Sequence, residues 1–514
     1  MEEPQQRAEQ QQGNSNDSKR PEIPTTEPRC TNQDKESEPT TEHQDDEHNS
    51  LKLTDNLRVF IKANRELLMK EGITLENDEA RLDNKTLVKL GESEGFTIIY
   101  ENQYYKITTV EKEKIGNLEL HKYRTKQGEE FLHVPKENMI IPPYETEWYA
   151  LPRAADIYLD KEYKRELLEA ALDKAGGQVA LREEMRKKQT RIGASFLRDH
   201  LHGRVDGMTV EKLMLILAYL GRGISEPNRH ITAIGCGRAV ENPNLPLNLN
   251  NIDGARLLAA RFSDGSLYVS QGKGPVFDYG NNDANQRKRI AESITNVFGE
   301  ARILNRGKVR ALCGRVRTST YVIGRTLQRS GAIAGEIVRQ NPEIPAFILQ
   351  GSKELKREWL RQAFGDEGST WPQRGLVKLS RAVNATHRLS DQQRDLLDAS
   401  KEWKRKLFTD ACKKQIKYCR FSDLPRDIQE TLKLEYPRLL ESEAKMLRED
   451  FGINSNSFPN EVYEGEAGYS VNWVLQTTSR RDSRIFCSEI GFPQNRKQKV
   501  LEDVLKMKGV DRQR

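Results

Sequence analysis

Two segments of this chain, 103 residues apart, share one pattern, and that internal repeat restricts its fold more than any other feature. Residues 257–266 read LLAARFSDGS and residues 360–369 read LRQAFGDEGS. Aligned, both begin with Leu, place Ala fourth (Ala260, Ala363) and an acid eighth (Asp264, Glu367), then continue Gly-Ser. Each follows a helical run, and strand-like sequence comes after each, at 266–270 and 376–379. A repeated helix-to-strand unit predicts two similar α+β halves, over 245–350 and 351–510.

Small residues (Ala259, Ala260, Ala363, Gly365) let the two helices approach face to face, each ending on an acid followed by Gly. The pairing sets two carboxylates side by side at two helix C-termini. Like charges beside negative dipole ends are costly unless a cation sits between them. Hard oxygen ligands select Mg²⁺ or Ca²⁺, and Mg²⁺ on one or two carboxylates keeps sites for water and phosphate, which suits phosphodiester hydrolysis. One such acid-Gly pair alone would be an ordinary turn; two at matching positions point to a site.

With these motifs the chain resembles the LAGLIDADG homing endonuclease family in its single-chain, two-motif form, over roughly residues 240–508. The resemblance extends to Asn341-Pro-Glu-Ile-Pro345 before the second motif helix, and to Ile490-Gly-Phe492 followed by Lys497. It implies two pseudo-symmetric repeats with paired motif helices, a DNA-binding β-saddle and Mg²⁺-dependent, site-specific cleavage of double-stranded DNA by a monomer. Carried over, Asp264 and Glu367 hold the metal, and Lys497 matches a lysine near the end of the repeat's sheet that orders water. The first repeat departs from the pattern: Glu336 and Ile337 stand where a basic residue is expected, with Arg339 as a substitute. Arg261 and Phe262 are bulky for a motif helix, and Gln362 takes a normally small position. These departures imply an asymmetric site that nicks one strand faster.

Charge supports a polyanion partner. The net charge of +6 combines an acidic first 50 residues at −8 with a body at +14. Between Arg302 and Arg329 lie eight basic residues and no acid. Alternation of Lys308 with Arg310, and of Arg315 with Arg317, with Gly314 able to host a bulge, predicts a strand face of guanidinium groups with Val316 turned inward. Lys308, Arg310, Arg315, Arg317, Arg325 and Arg329 are therefore the candidate DNA contacts. In the second repeat Tyr469, Val471, Trp473 and Leu475 alternate with Ser470, Asn472 and Gln476, giving a buried and a polar face.

Residues 1–50 contain four hydrophobic residues and read as a disordered acidic tail. Residues 51–150 read as a small α+β module, with a helical pattern over 57–68 followed by strand-like stretches. Residues 155–225 read as four short helices, similar to a helix-turn-helix of the lambda-repressor-like type or, equally, a plain bundle. A helix-turn-helix ahead of a LAGLIDADG-like domain also resembles the WhiA-type transcription regulators, so a non-catalytic DNA-binding regulator is the alternative. Residues 390–440 read as a helical insertion. No apolar run long enough to span a membrane, no secretory signal and six scattered cysteines without a CxxC pair fit a cytoplasmic protein without a transition-metal site.

Overall fold

The computed structural model describes residues 79–507, apart from 84–85, 91–95, 116–117, 138, 188–191, 237, 271–273, 307–313, 319, 400–403, 408–414 and 466–467. The acidic tail and the pattern at 57–68 lie outside the described residues. What is described between residues 79 and 150 is sheet with single 3₁₀ turns. Strands β1 (Glu79–Asp83), β2 (Thr86–Leu90), β3 (Phe96–Tyr100), β4 (Gln103–Ile115), β5 (Leu118–Thr125), β6 (Glu130–Val134) and β7 (Met139–Ile141) form an antiparallel meander in chain order. Alternate apolar residues of β4 such as Tyr105 and Ile107 are buried, as on a strand with one covered face, whereas β6 is buried throughout.

Four helices follow: α1 (Lys161–Ala175), α2 (Gln178–Lys187), α3 (Ala194–Leu201) and α4 (Val210–Leu220). Their ends match the sequence signals. Asp160 accepts from the Tyr163 backbone, Thr209 from that of Lys212, and Gly176 and Gly221 close α1 and α4 in the left-handed conformation.

The repeat region builds two parts that each open on a helix running into a β-hairpin. In the first, α5 (Ile252–Arg261) runs into the hairpin β8 (Gly265–Ser270) and β9 (Gly274–Asn281), then α6 (Ala284–Phe298), β10 (Leu304–Arg306), β11 (Gly314–Thr318) and α7 (Tyr321–Arg329). In the second, α8 (Lys353–Glu367) runs into β12 (Gly368–Trp371) and β13 (Leu376–Asn384). The chain continues through α9 (Asp391–Ala399), β14 (Lys404–Leu407), β15 (Gln415–Arg420), α10 (Arg426–Lys433) and α11 (Arg438–Phe451). It ends with β16 (Ser455–Gly465), β17 (Gly468–Thr477), α12 (Arg480–Glu489) and α13 (Asn495–Lys506). The sheets run β8-β9-β11-β10 and β12-β13-β17-β16-β15-β14. The 390–440 insertion is thus not purely helical: β14 and β15 extend the second sheet at its edge.

Period-two alternation gives each sheet an apolar inner face and a polar outer one. Leu267, Phe277, Tyr279 and Val316 are buried on the first, Val377, Leu379, Val471 and Leu475 on the second. The β-meander is fastened to the first half and to the segment joining the halves. Tyr104 and Gln350 exchange two hydrogen bonds (2.7 and 3.0 Å), and Glu129 accepts from the Ala346 backbone at 2.9 Å. Among the described residues no helix is long and apolar enough to cross a membrane.

Candidate active site

Helices α5 and α8 pack against each other, and α8 delivers Glu367 as its last residue. The first half differs from expectation: α5 stops at Arg261, and Asp264 sits in the turn beyond it. The glycine after each acid is needed for space rather than for a left-handed exit. A Cβ on Gly265 would lie 2.5 Å from the Ala260 carbonyl oxygen, and one on Gly368 2.4 Å from that of Phe364. Gly365 does not face α5 either: a Cβ there would lie 2.6 Å from the Pro493 ring. The helices are joined instead by the Phe262–Trp359 ring contact at 5.6 Å and the Arg256–Glu358 ion pair.

Asp264 and Glu367 both reach the surface, yet the surrounding chain removes much of their water shell. That burial, followed by the nearby Glu367 charge, pushes the Asp264 carboxyl up to about 6. Burial likewise raises Glu367, while Arg381 and Lys497 pull it back. Among the described residues Asp264 accepts one side-chain hydrogen bond, from Asn281 Nδ2 to Oδ2 at 2.9 Å, and Glu367 accepts none. Oxygens open on that side, with like charges opposed, fit a hard divalent cation. No three His, Cys, Asp or Glu side chains among the described residues are arranged to hold a metal, so these two carboxylates would share the ion with water or phosphate.

The sequence reading missed the groups behind them. Asp366 accepts from Tyr279 Oη at 2.6 Å and Gln362 Nε2 at 2.9 Å, and from the same Asn281 amide nitrogen at 3.2 Å. Burial, then the Asp264 charge, raises its carboxyl far above the usual range. Arg381 on β13 crosses to the turn carrying Asp264, donating to the Phe262 carbonyl (2.8 Å) and Ser263 Oγ (3.2 Å), while the buried Glu443 carboxylate grips it at 2.6 Å. The available signal was a second acid beside Glu367, in the slot Ser263 fills in the first motif.

Lys497 is near the centre, but on α13 rather than on a sheet. Its Nζ donates to the Gly365 and Gly368 carbonyls at 2.5 and 2.7 Å, completing the open C-terminus of α8. In the first half Glu336 pairs with Arg339 at 2.8 Å, in exposed positions. Arg261 is fully buried, its guanidinium spent on the Ile333 and Gly335 carbonyls. A cavity of about 570 Å³ opens beside Glu367, with Ser263, Arg381 and Asn472 among its walls.

The predicted DNA contacts separate into three groups. Lys308 and Arg310 lie outside the described residues. Arg315 and Arg317 do stand on the outer face of β11, with Val316 buried between them, and both bind Asp278 Oδ2, at 3.3 and 2.7 Å. Arg325 and Arg329 are not on that face, and this corrects the sequence expectation. Arg329 is 0% exposed and donates to the Glu145 and Glu130 carbonyls, and Arg325 is paired with Glu130 at 2.8 Å. The basic run turns into helix α7 after Thr318, so its last arginines dock the β-meander. On the second sheet, Lys378 lies 3.9 Å and Arg374 4.4 Å over the Trp371 ring, at the tip of the β12–β13 hairpin.

No sequence profile of a known protein family matches the chain, and no curated protein matches it by sequence. Several solved structures share a distant likeness with it. Mesophilic variants of the homing endonuclease I-DmoI are 10% identical over 47% of this chain and 96% of theirs, with a TM-score of 0.26. I-DmoI in complex with DNA and Mn is 12% identical over 47% and 97%, at 0.27. The homing endonuclease I-WcaI bound to its DNA recognition sequence is 11% identical over 50% and 87%, at 0.24.

Proposed function

We propose that this chain binds double-stranded DNA across the outer faces of its two repeat sheets and cuts it with Mg²⁺ held by Asp264 and Glu367. What carries the reading is the pair of open carboxylates, both with raised affinity for protons, one in the turn after α5 and one ending the α8 helix packed against it. The halves are then related by a pseudo-two-fold axis along that helix pair. When bound, the cation would supply charge neutralisation and an acidified water for phosphodiester hydrolysis. Asn281 orients Asp264, Arg381 ties the Asp264 turn to the second half, and Lys497 holds the end of α8 that presents Glu367. Arg315, Arg317, Lys378 and the polar residues Ser380, Asn472 and Gln476 supply the surface toward the duplex.

A DNA-binding regulator without nuclease activity is the second reading. The engagement of Lys497 by two backbone carbonyls favours it, because a lysine so held is not available to order water. Incubating the protein with a randomised duplex library and Mg²⁺, then sequencing cut ends and retained duplexes, tests both. Cut ends clustered on one sequence support the nuclease; enrichment of intact duplexes supports the regulator; neither outcome removes DNA as the partner.

A further inference from the structure

Asp366 is a carboxylate placed where a second charge beside Asp264 ought only to repel, and yet three donors are built around it. Tyr279, fully buried, donates its hydroxyl to Oδ1, Gln362 donates to Oδ2, and both Gln362 and Asn281 also reach the Tyr279 oxygen, at 3.2 and 3.1 Å. The Asn281 amide cannot turn over, because its Oδ1 already accepts from the Asp283 backbone at 2.9 Å. Its Nδ2 therefore faces the carboxyls, touching Asp264 Oδ2 and Asp366 Oδ1 with one nitrogen. Both ends of this bridge lie in different halves: Asp264 and Asn281 belong to the first, Asp366 and Gln362 to the second.

We propose that Asp366 is a positioning residue of the acidic centre, acting across the boundary between the halves on Asp264 through the Asn281 amide. The proposal rests on the reading of Asp264 and Glu367 as a cation site. Asp366 and Tyr279 fix the amide nitrogen, and the amide occupies Asp264 Oδ2, which leaves Oδ1 for the ion. Among the described residues no side chain guides Glu367 in this way. The two carboxylates are thus inequivalent, one preset and one free to adjust.

Mn²⁺ binding to the full chain, followed by electron paramagnetic resonance without DNA, tests this. Asn281→Ala weakens Mn²⁺ binding by about tenfold, the lower end expected for groups that orient a ligand. Asp366→Asn weakens it several-fold in the wild-type background and not at all in the Asn281→Ala background. The substitution is accommodated, since Gln362 Oε1 is buried without a partner and can accept from the new amide. Should Asp366→Asn nevertheless melt early, Tyr279→Phe replaces it in the same cycle with the same expectation. Additive losses, as through-space charge would give, overturn this proposal while leaving the cation site intact. A wild-type chain that binds no Mn²⁺, or binds it equally after Asp264→Asn, overturns the cation site itself.

Discussion

Arg256 Nε on α5 and Glu358 Oε1 on α8 lie 2.6 Å apart, so the two motif helices are locked by a largely buried ion pair. Glu358 also receives Arg289 from α6 at 2.8 Å, and Arg256 also reaches Asp253 and Ser293. Removing Glu358 leaves Arg256 with Asp253 alone and takes from Arg289 its carboxylate partner, at a cost of about 3 kcal/mol. Glu358→Gln should therefore lower the urea midpoint strongly. Adding Arg256→Met to it should cost less than the sum of the two single changes. Strict additivity would show that the pair does not couple the helices.

Asp264→Asn and Glu367→Gln should each abolish cleavage and leave duplex affinity within about twofold, because neither touches the basic strand face. Gel-shift and cleavage assays on the same preparations check this. Cutting retained in the double variant would place the chemistry elsewhere.

The Asp264 carboxyl, held at about 6, gives the centre a pH dependence of definite sign. Above pH 6 it is ionised and open to a cation; below, a proton competes and apparent cation affinity should fall roughly tenfold per unit. Without divalent ions the folded state binds this proton more tightly than the unfolded chain. Its contribution to stability is thus full below about pH 4 and is lost as pH rises through 6. Asp264→Asn should then melt higher than wild type at pH 7, with the gap closing by pH 4. Saturating Mg²⁺ should cancel the pH 7 advantage.

Much of this architecture was legible because its signals are local. The Asp283 cap and Gly299 stop of α6, the Gly452 stop of α11 and the alternation of β17 are each decided within a few residues. The acids were legible because the motif occurs twice. Asn281 and Tyr279 were not, since nothing in their own neighbourhoods sets them apart, and Asp366 offered only its place beside Glu367; the pairing of α5 with α8 and the β8–β9 register bring the three together. Arg329 shows the opposite failure. A basic run looks uniform in sequence, but a helix at its end turns one guanidinium into the interior, where backbone carbonyls satisfy it.

Arg329→Met should accordingly act on stability rather than on DNA. It leaves the buried Glu145 and Glu130 carbonyls without the donor that now satisfies them, while Glu130 keeps Arg325 and Arg124, which should cost about 2 kcal/mol. Duplex affinity of the folded fraction should be unchanged. A selective loss of DNA binding with an unaltered melt would return Arg329 to the interface.

Arg315 and Arg317 carry the sharper test of the sheet surface, because Asp278 holds both from below. Replacing the two with Gln should weaken specific binding by ~1–3 kcal/mol for each arginine that reads a guanine. If they contact phosphate only, all sequences should weaken alike and the salt slope should flatten by roughly one unit per contact. Asp278→Asn moves the opposite way: it frees two guanidinium groups and leaves their charge uncompensated, so binding should tighten at low salt and its salt dependence should steepen. A salt titration of wild type and both variants on several duplexes separates these outcomes. Equal affinity and slope in all three would make this face a solvated surface, and the duplex would have to be sought at the exposed Arg198, His202 and Arg204 around α3.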